Sequence, residues 1–195
     1  MSTSKPTLTL ADFSEAAARL NCEVPAIRAV CQVEAPRGGF NPDGTPVTLF
    51  EGHKFHKFTG GRFDAQAPDL SYPKWTKKFY GKDWMQEQDR LQRAMALDRD
   101  AALRSASWGK FQIMGFNHAV VGFPTVQKFV NAMYTGEREH LLAFVQYVVN
   151  NNLVGTLRRR DWAAFALGYN GEGYAENKYD VKMAAAYLTF KKKEA

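Results

Sequence analysis

An apolar rhythm of about 3.6 residues recurs along this chain between capping residues, and it leaves little sequence over for a sheet. Thr9 with Asp12 three residues on makes a capping-box-like start. Leu10, Phe13, Ala17 and Leu20 then share a face, and Asn21 is the stop. Pro25 at a first helical position opens a second helix, which runs to about Ala35, where Pro36, Gly38 and Gly39 end it. Residues 86–97 read as a helix, and Asp98 or Asp100 caps a short one through Leu103. Thr125 caps a helix carrying Val126, Phe129, Val130 and Met133. Residues 136–150 place Leu141, Phe144, Val145, Val148 and Val149 in one stripe. Asp161 caps a helix with Trp162, Phe165, Ala166 and Tyr169. Val181, Ala184, Ala185 and Leu188 mark a last one, with Lys191, Lys192 and Lys193 at its negatively polarised end.

Strand signals are sparse. Residues 46–50 form a short β-like run. Residues 58–63 turn a hairpin at Gly60-Gly61, or else residues 51–58 are a helix stopped by those glycines; periodicity leaves both open. Residues 68–83 read as an ordered surface loop. The expected fold is mainly α, a single helical domain over residues 10–190 with at most a small β-hairpin after the second helix. Residues 1–9 and the basic residues 191–195 are read as tails.

The length of 195 residues suits one domain, and no apolar run approaches the ~18–20 residues that cross a bilayer. The opening residues 1–6 lack the apolar core of a signal peptide, so synthesis in the cytoplasm is expected. Cys22 and Cys31 read as small buried apolar residues instead of a disulfide. A net charge of +6 favours a polyanionic partner, nucleic acid or a bacterial wall.

Glu34 breaks the pattern. Ile27, Val30 and Cys31 form the apolar stripe of the second helix, and position 34 continues it with a carboxylate. Partial desolvation there disfavours the charged form and raises the pKa, the state a general acid needs. The breaker at Pro36-Arg37-Gly38-Gly39 would open a cleft beside it. Pairing of Glu34 with a buried Arg is the alternative. Three further segments carry chemistry. Residues 106–115 offer Gly109 for close backbone approach, Trp108 as a flat platform and Gln112 as donor and acceptor, a pairing suited to sugars. Residues 168–174 display Tyr169, Asn170 and Tyr174 on a Gly-rich turn, with Tyr169 able to hydrogen-bond a protonated Glu. Glu51, between Phe50 and Gly52, is the first candidate for a helper carboxylate, ahead of Asp43 and Asp64.

In this order the segments resemble the lysozyme superfamily. Glu34 at a helix end resembles the catalytic Glu of goose-type lysozymes and lytic transglycosylases. Gly109-Lys110-Phe111-Gln112-Ile113-Met114 resembles their Gly-x-x-Gln-Ile-Met segment, and Tyr169-Asn170-Gly171-Glu172-Gly173 their Tyr-Asn-Ala-Gly segment. The chain is more similar still to the N-acetylmuramidase domain of bacteriophage endolysins, through Val33-Glu34, Gly39-Phe40, Asp43-Gly44, residues 49–53, 59–64 and 101–117. The resemblance implies a lysozyme-like fold and cleavage of the β-1,4 bond between N-acetylmuramic acid and N-acetylglucosamine. Glu34 would be the acid, Gln112 and the Tyr169-Asn170 turn would line the saccharide cleft, and Tyr169 would steady Glu34. It also implies no cofactor, a monomer, peptidoglycan strands as partner, and access to the wall after membrane permeabilisation. One departure is that Ala35-Pro36 follows Glu34 where many relatives have Ser, which removes a hydroxyl partner for the acid.

Other readings are weaker. His53 and His56 supply only two ligands for a zinc peptidase, so no metal is expected. Arg158-Arg159-Arg160 and Lys191-Lys192-Lys193 could suit a nucleic-acid-binding module, but no recognised motif accompanies them. The C-terminal lysines are better read as attracting anionic envelope polymers.

Overall fold

The computed structural model describes residues 4–194. Met1, Ser2 and Thr3, part of the stretch read as lacking a signal peptide, and Ala195 of the basic end lie outside the described residues. Two helices open the fold, α1 (Leu10–Leu20) and α2 (Val24–Glu34). The Thr9–Asp12 capping box forms reciprocally, and Asn21 caps α1 in the left-handed conformation. Leu10, expected on the buried face of α1, is exposed, whereas Ala17 and Leu20 are buried.

Strand β1 (Thr48–Phe50) follows, then α3 (Gly52–Thr59). Residues 58–63 therefore make no hairpin: α3 ends on Gly60 at φ 62°, and the alternative helix is what forms. Helices α4 (Trp84–Leu97) and α5 (Arg99–Arg104) are capped by Asp83 and Asp98. Strands β2 (Ala106–Trp108) and β3 (Ile113–Met114) complete a three-stranded antiparallel sheet of order β1-β2-β3, with Leu49 opposite Ser107. Its hairpin is β2–β3, far from the second helix in sequence. Each strand has only two or three residues, too few for a period-2 signal.

Five helices finish the chain: α6 (Val126–Met133), α7 (Glu137–Asn150), α8 (Val154–Arg159), α9 (Trp162–Asn170) and α10 (Tyr179–Glu194). Helix α10 packs along α2 and α9, and α1 lies on α2 and α7. The predicted face of α10 is rotated. Met183, Ala186 and Tyr187 are buried while Val181 and Leu188 are exposed, because the alanine run at 184–186 leaves periodicity without contrast. No helix among the described residues is long and apolar enough to cross a membrane.

Residues 5–8 and the last turn of α10 are both fastened to the rest of the fold. Lys5 Nζ donates to the Tyr134 carbonyl, and Glu137 N–H donates to the Pro6 carbonyl, laying residues 5–8 across the start of α7. Lys191–Lys193 are the last turn of α10, with Lys191 Nζ 3.1 Å from a Glu23 carboxylate oxygen. The loop over residues 68–83 is irregular, as expected, and is fastened by Tyr80 to Glu51 and by Gly81 N–H to Glu87. Cys31 is buried and Cys22 half-buried, both as free thiols, and burial pushes the Cys22 pKa up to about 11.

Candidate active site

Helix α2 delivers Glu34 as its final residue, where the Pro36–Gly39 break stops the core from closing over it. The carboxyl is half-buried. Desolvation raises its pKa, and a 2.9 Å hydrogen bond from Asn170 Nδ2 to its Oε1 opposes that rise in part. Asn170 is the last residue of α9, directly before Gly171 at φ 76°. The missing hydroxyl after Glu34 is thus replaced, as an orienting partner, by an amide from a distant helix.

Two cavities meet at Glu34. One, of about 350 Å³, is walled by Phe111, Ile113, Met114, Asn117, Tyr147 and Tyr169 together with Gln112 and Asn170. The other, of about 250 Å³, lies between residues 35–38 and the Val47–Gly109–Lys110 corner and shares Gln112 with the first. Together they form a cleft that passes over Glu34 on both sides. Glu34 is the only carboxylate in either lining.

Phe111 and Tyr169 in the wall of the larger arm are backed by buried rings. Phe111 stacks on Phe144 at 4.6 Å, Tyr169 meets Phe144 edge-on at 5.5 Å, and Phe165 stacks on Tyr169 at 5.8 Å. These rings set the Tyr169 phenol, whose pKa burial raises well above the usual value with the Glu34 charge adding to it. Its hydroxyl makes a long 3.5 Å contact to the Phe111 carbonyl. The expected Tyr169–Glu34 hydrogen bond does not form; Asn170 takes that place.

Trp108 is no platform. It is 2% exposed and donates Nε1–H to the Leu103 carbonyl at 3.1 Å, inside the sheet. Trp108→Phe is therefore expected to lower stability by about 1 kcal/mol in urea denaturation through that lost bond. Gly109, at φ 70°, lets the backbone approach the His140 ring, from which a Cβ there would stand 2.8 Å, and it also lines the smaller arm. Gln112 lies in the cleft with its amide already engaged. Oε1 accepts from Ser107 Oγ at 2.7 Å, and Nε2 donates to the Gly109 and Val47 carbonyls. Its own φ of 48° places a non-glycine residue in the left-handed region beside Glu34.

The three helper candidates all lie outside both linings. Glu51 accepts from the Tyr80 hydroxyl at 2.8 and 2.9 Å and faces His53 Nδ1 at 3.3 Å. Asp43 accepts from Thr45 N–H and Oγ1 in its own turn. Asp64 pairs with His56 and Ser71. Tyr174, half-buried on the 3-10 turn Glu172–Ala175, lies outside both linings too.

Sequence reasoning missed Tyr147, Lys110 and Glu137. Glu137 is buried: Oε1 accepts from Gly39 N–H at 2.7 Å and Lys110 Nζ at 3.4 Å, and Oε2 from Leu8 N–H at 3.2 Å. A Glu in a first helical turn reads as a dipole partner, so nothing local marked it. Tyr147 did leave a signal, as a polar-tipped ring in the otherwise apolar stripe of α7.

A search of curated proteins finds no match. Among solved structures, a Burkholderia AP3 phage endolysin superposes with a TM-score of 0.90 at 40% identity, over 98% of this chain and 74% of that one. A sequence model of the N-acetylmuramidase family matches residues 23–191, a span that begins before α2 and ends in α10 and so contains Glu34, the sheet and Asn170. The chain belongs to the N-acetylmuramidase family.

Proposed function

We propose that this protein is an endolysin-type peptidoglycan hydrolase that cuts the β-1,4 bond between N-acetylmuramic acid and N-acetylglucosamine, with Glu34 as general acid. The observation that carries this reading is the desolvated Glu34 carboxyl where the two arms of the cleft meet. A raised pKa favours the protonated form that a general acid needs, and a saccharide lying along both arms would put a glycosidic oxygen within its reach. Protonation of that oxygen lets the C1–O bond break with oxocarbenium character, and water completes the substitution. The aromatic wall and the Asn117 and Asn170 amides suit the apolar faces and acetamido groups of amino sugars. Family membership and the endolysin neighbour support the same substrate.

One observation favours a second outcome at the same site. Glu51, Asp43 and Asp64 are each committed elsewhere, and among the described residues that line the cleft Glu34 is the only carboxylate, so none of them is placed to activate water. The C6 hydroxyl of the muramic acid could then attack its own C1, returning a proton to Glu34 and leaving a 1,6-anhydro ring. Mass spectrometry of sugars released from purified peptidoglycan separates the two. Reducing muramic acid ends mean hydrolysis, and anhydro ends mean lytic transglycosylation. Release undiminished in Glu34→Gln would sink the assignment.

Asn170 supplies a pH test. Its hydrogen bond favours the charged form of Glu34, so Asn170→Ala raises the Glu34 pKa further. The alkaline limb of the kcat/KM profile is expected to move to higher pH, and kcat at the optimum to fall about tenfold as the acid loses its orientation. An unmoved limb would remove Asn170 from this role.

A further inference from the structure

The two arms of the cleft differ in charge. Around the larger arm no cation is among the described lining residues, which are rings, apolar side chains and amides beside the Glu34 carboxyl. The smaller arm carries Arg37 and Lys110. Lys110 is already committed: Nζ donates to the Arg37 carbonyl at 3.0 Å and stands 3.4 Å from the buried Glu137 carboxylate. Arg37 is the opposite case. Its side chain is exposed, and no described residue hydrogen-bonds or ion-pairs with its guanidinium. Its backbone is nonetheless held, by Lys110 at its own carbonyl and by Glu137 at Gly39 N–H two residues on. An unpartnered guanidinium on a tethered backbone at the rim of a cleft is poised for a carboxylate, which it can meet with two parallel N–H···O bonds.

Resting on the muramidase reading above, we infer that Arg37 is a specificity-determining residue that binds a carboxylate carried by the muramic acid substituent. That substituent ends in the lactyl carboxylate on bare strands and in the carboxylates of the stem peptide on intact ones. The chemistry is the same for both, and the geometry needs no further residue. The smaller arm thereby takes the part of the polymer that bears the anionic branch, and an uncharged amino-sugar polymer gains nothing from it.

The test compares wild type with Arg37→Gln on native peptidoglycan and on peptidoglycan whose carboxyls have been methyl-esterified, with Lys128→Gln as a control for net charge. KM is read from sugar release, and binding from cosedimentation in the Glu34→Gln background. Arg37→Gln is expected to raise KM and weaken cosedimentation about tenfold on native material, with kcat near unchanged and the difference gone on the ester. Strands stripped of peptide then locate the carboxylate: a retained difference assigns the lactyl group, a lost one the stem peptide. An equal loss on native and esterified material, or none on either, overturns the proposal. Should wild type release no sugar ends, the muramidase reading is what fails, and the cosedimentation difference still decides whether Arg37 reads carboxylates.

Discussion

Glu34→Gln is expected to lower the rate of sugar release from peptidoglycan by about 10³-fold, because it removes the proton donor and leaves the cleft in place. The amide keeps an oxygen where Oε1 accepts from Asn170 Nδ2, so the side chain need not move. Stability should change in the opposite sense. Burial raises the folded-state pKa of Glu34 above its unfolded value. The stability tied to that group is therefore fully present below the unfolded pKa and lost as pH rises through the folded one. Gln does not titrate. Melting curves of the two proteins should coincide near pH 4 and separate toward pH 8, with the variant the more stable. A variant that loses activity and also loses Tm across the whole range would mean that Glu34 holds the fold together, and that its inactivity says nothing about catalysis.

The parts of this molecule that could be read from sequence are those where one local signal decides. Thr9, Asp98, Thr125 and Asp161 accept hydrogen bonds at helix N-termini as their types predict, and Glu34 stands out because a stripe of Ile27, Val30 and Cys31 defines where it must point. What could not be read is set by partners far along the chain. Trp108 looks like a sugar platform until β1, 60 residues earlier, pairs with it and buries it. The orienting hydrogen bond on Glu34 falls to Asn170 and not to its neighbour Tyr169, because the ring row of Phe144 and Phe165 fixes which face of α9 turns inward. Glu51 kept its sequence context between apolar residues, yet Tyr80 from the irregular loop occupies both its oxygens. Periodicity locates a side chain on its own element and is silent about which other element arrives there.

Glu137→Ala is expected to cost about 3–5 kcal/mol in chemical denaturation. Three donors converge on this one carboxylate, Gly39 N–H, Leu8 N–H and Lys110 Nζ, and the residue is 4% exposed. Removing it strands two backbone N–H groups and leaves the Lys110 ammonium without its counter-ion, and each loss carries a desolvation cost that no new bond offsets. The consequences reach the cleft, because Glu137 and its partner Lys110 tie down the segment after Glu34 at Gly39 N–H and at the Arg37 carbonyl. A double-mutant cycle separates the contributions. Lys110→Met removes the stranded charge, so Glu137→Ala made in that background should cost at least about 1 kcal/mol less than in wild type. Glu137→Gln should fall between, since one oxygen still accepts from Gly39 while the other acceptor becomes an NH₂ facing the Leu8 N–H. Additive effects of the two substitutions would mean that Lys110 and Glu137 act independently. The 35–39 segment would then owe its position to the Pro36 turn and the fit of Gly39 against the His140 ring, not to the buried carboxylate.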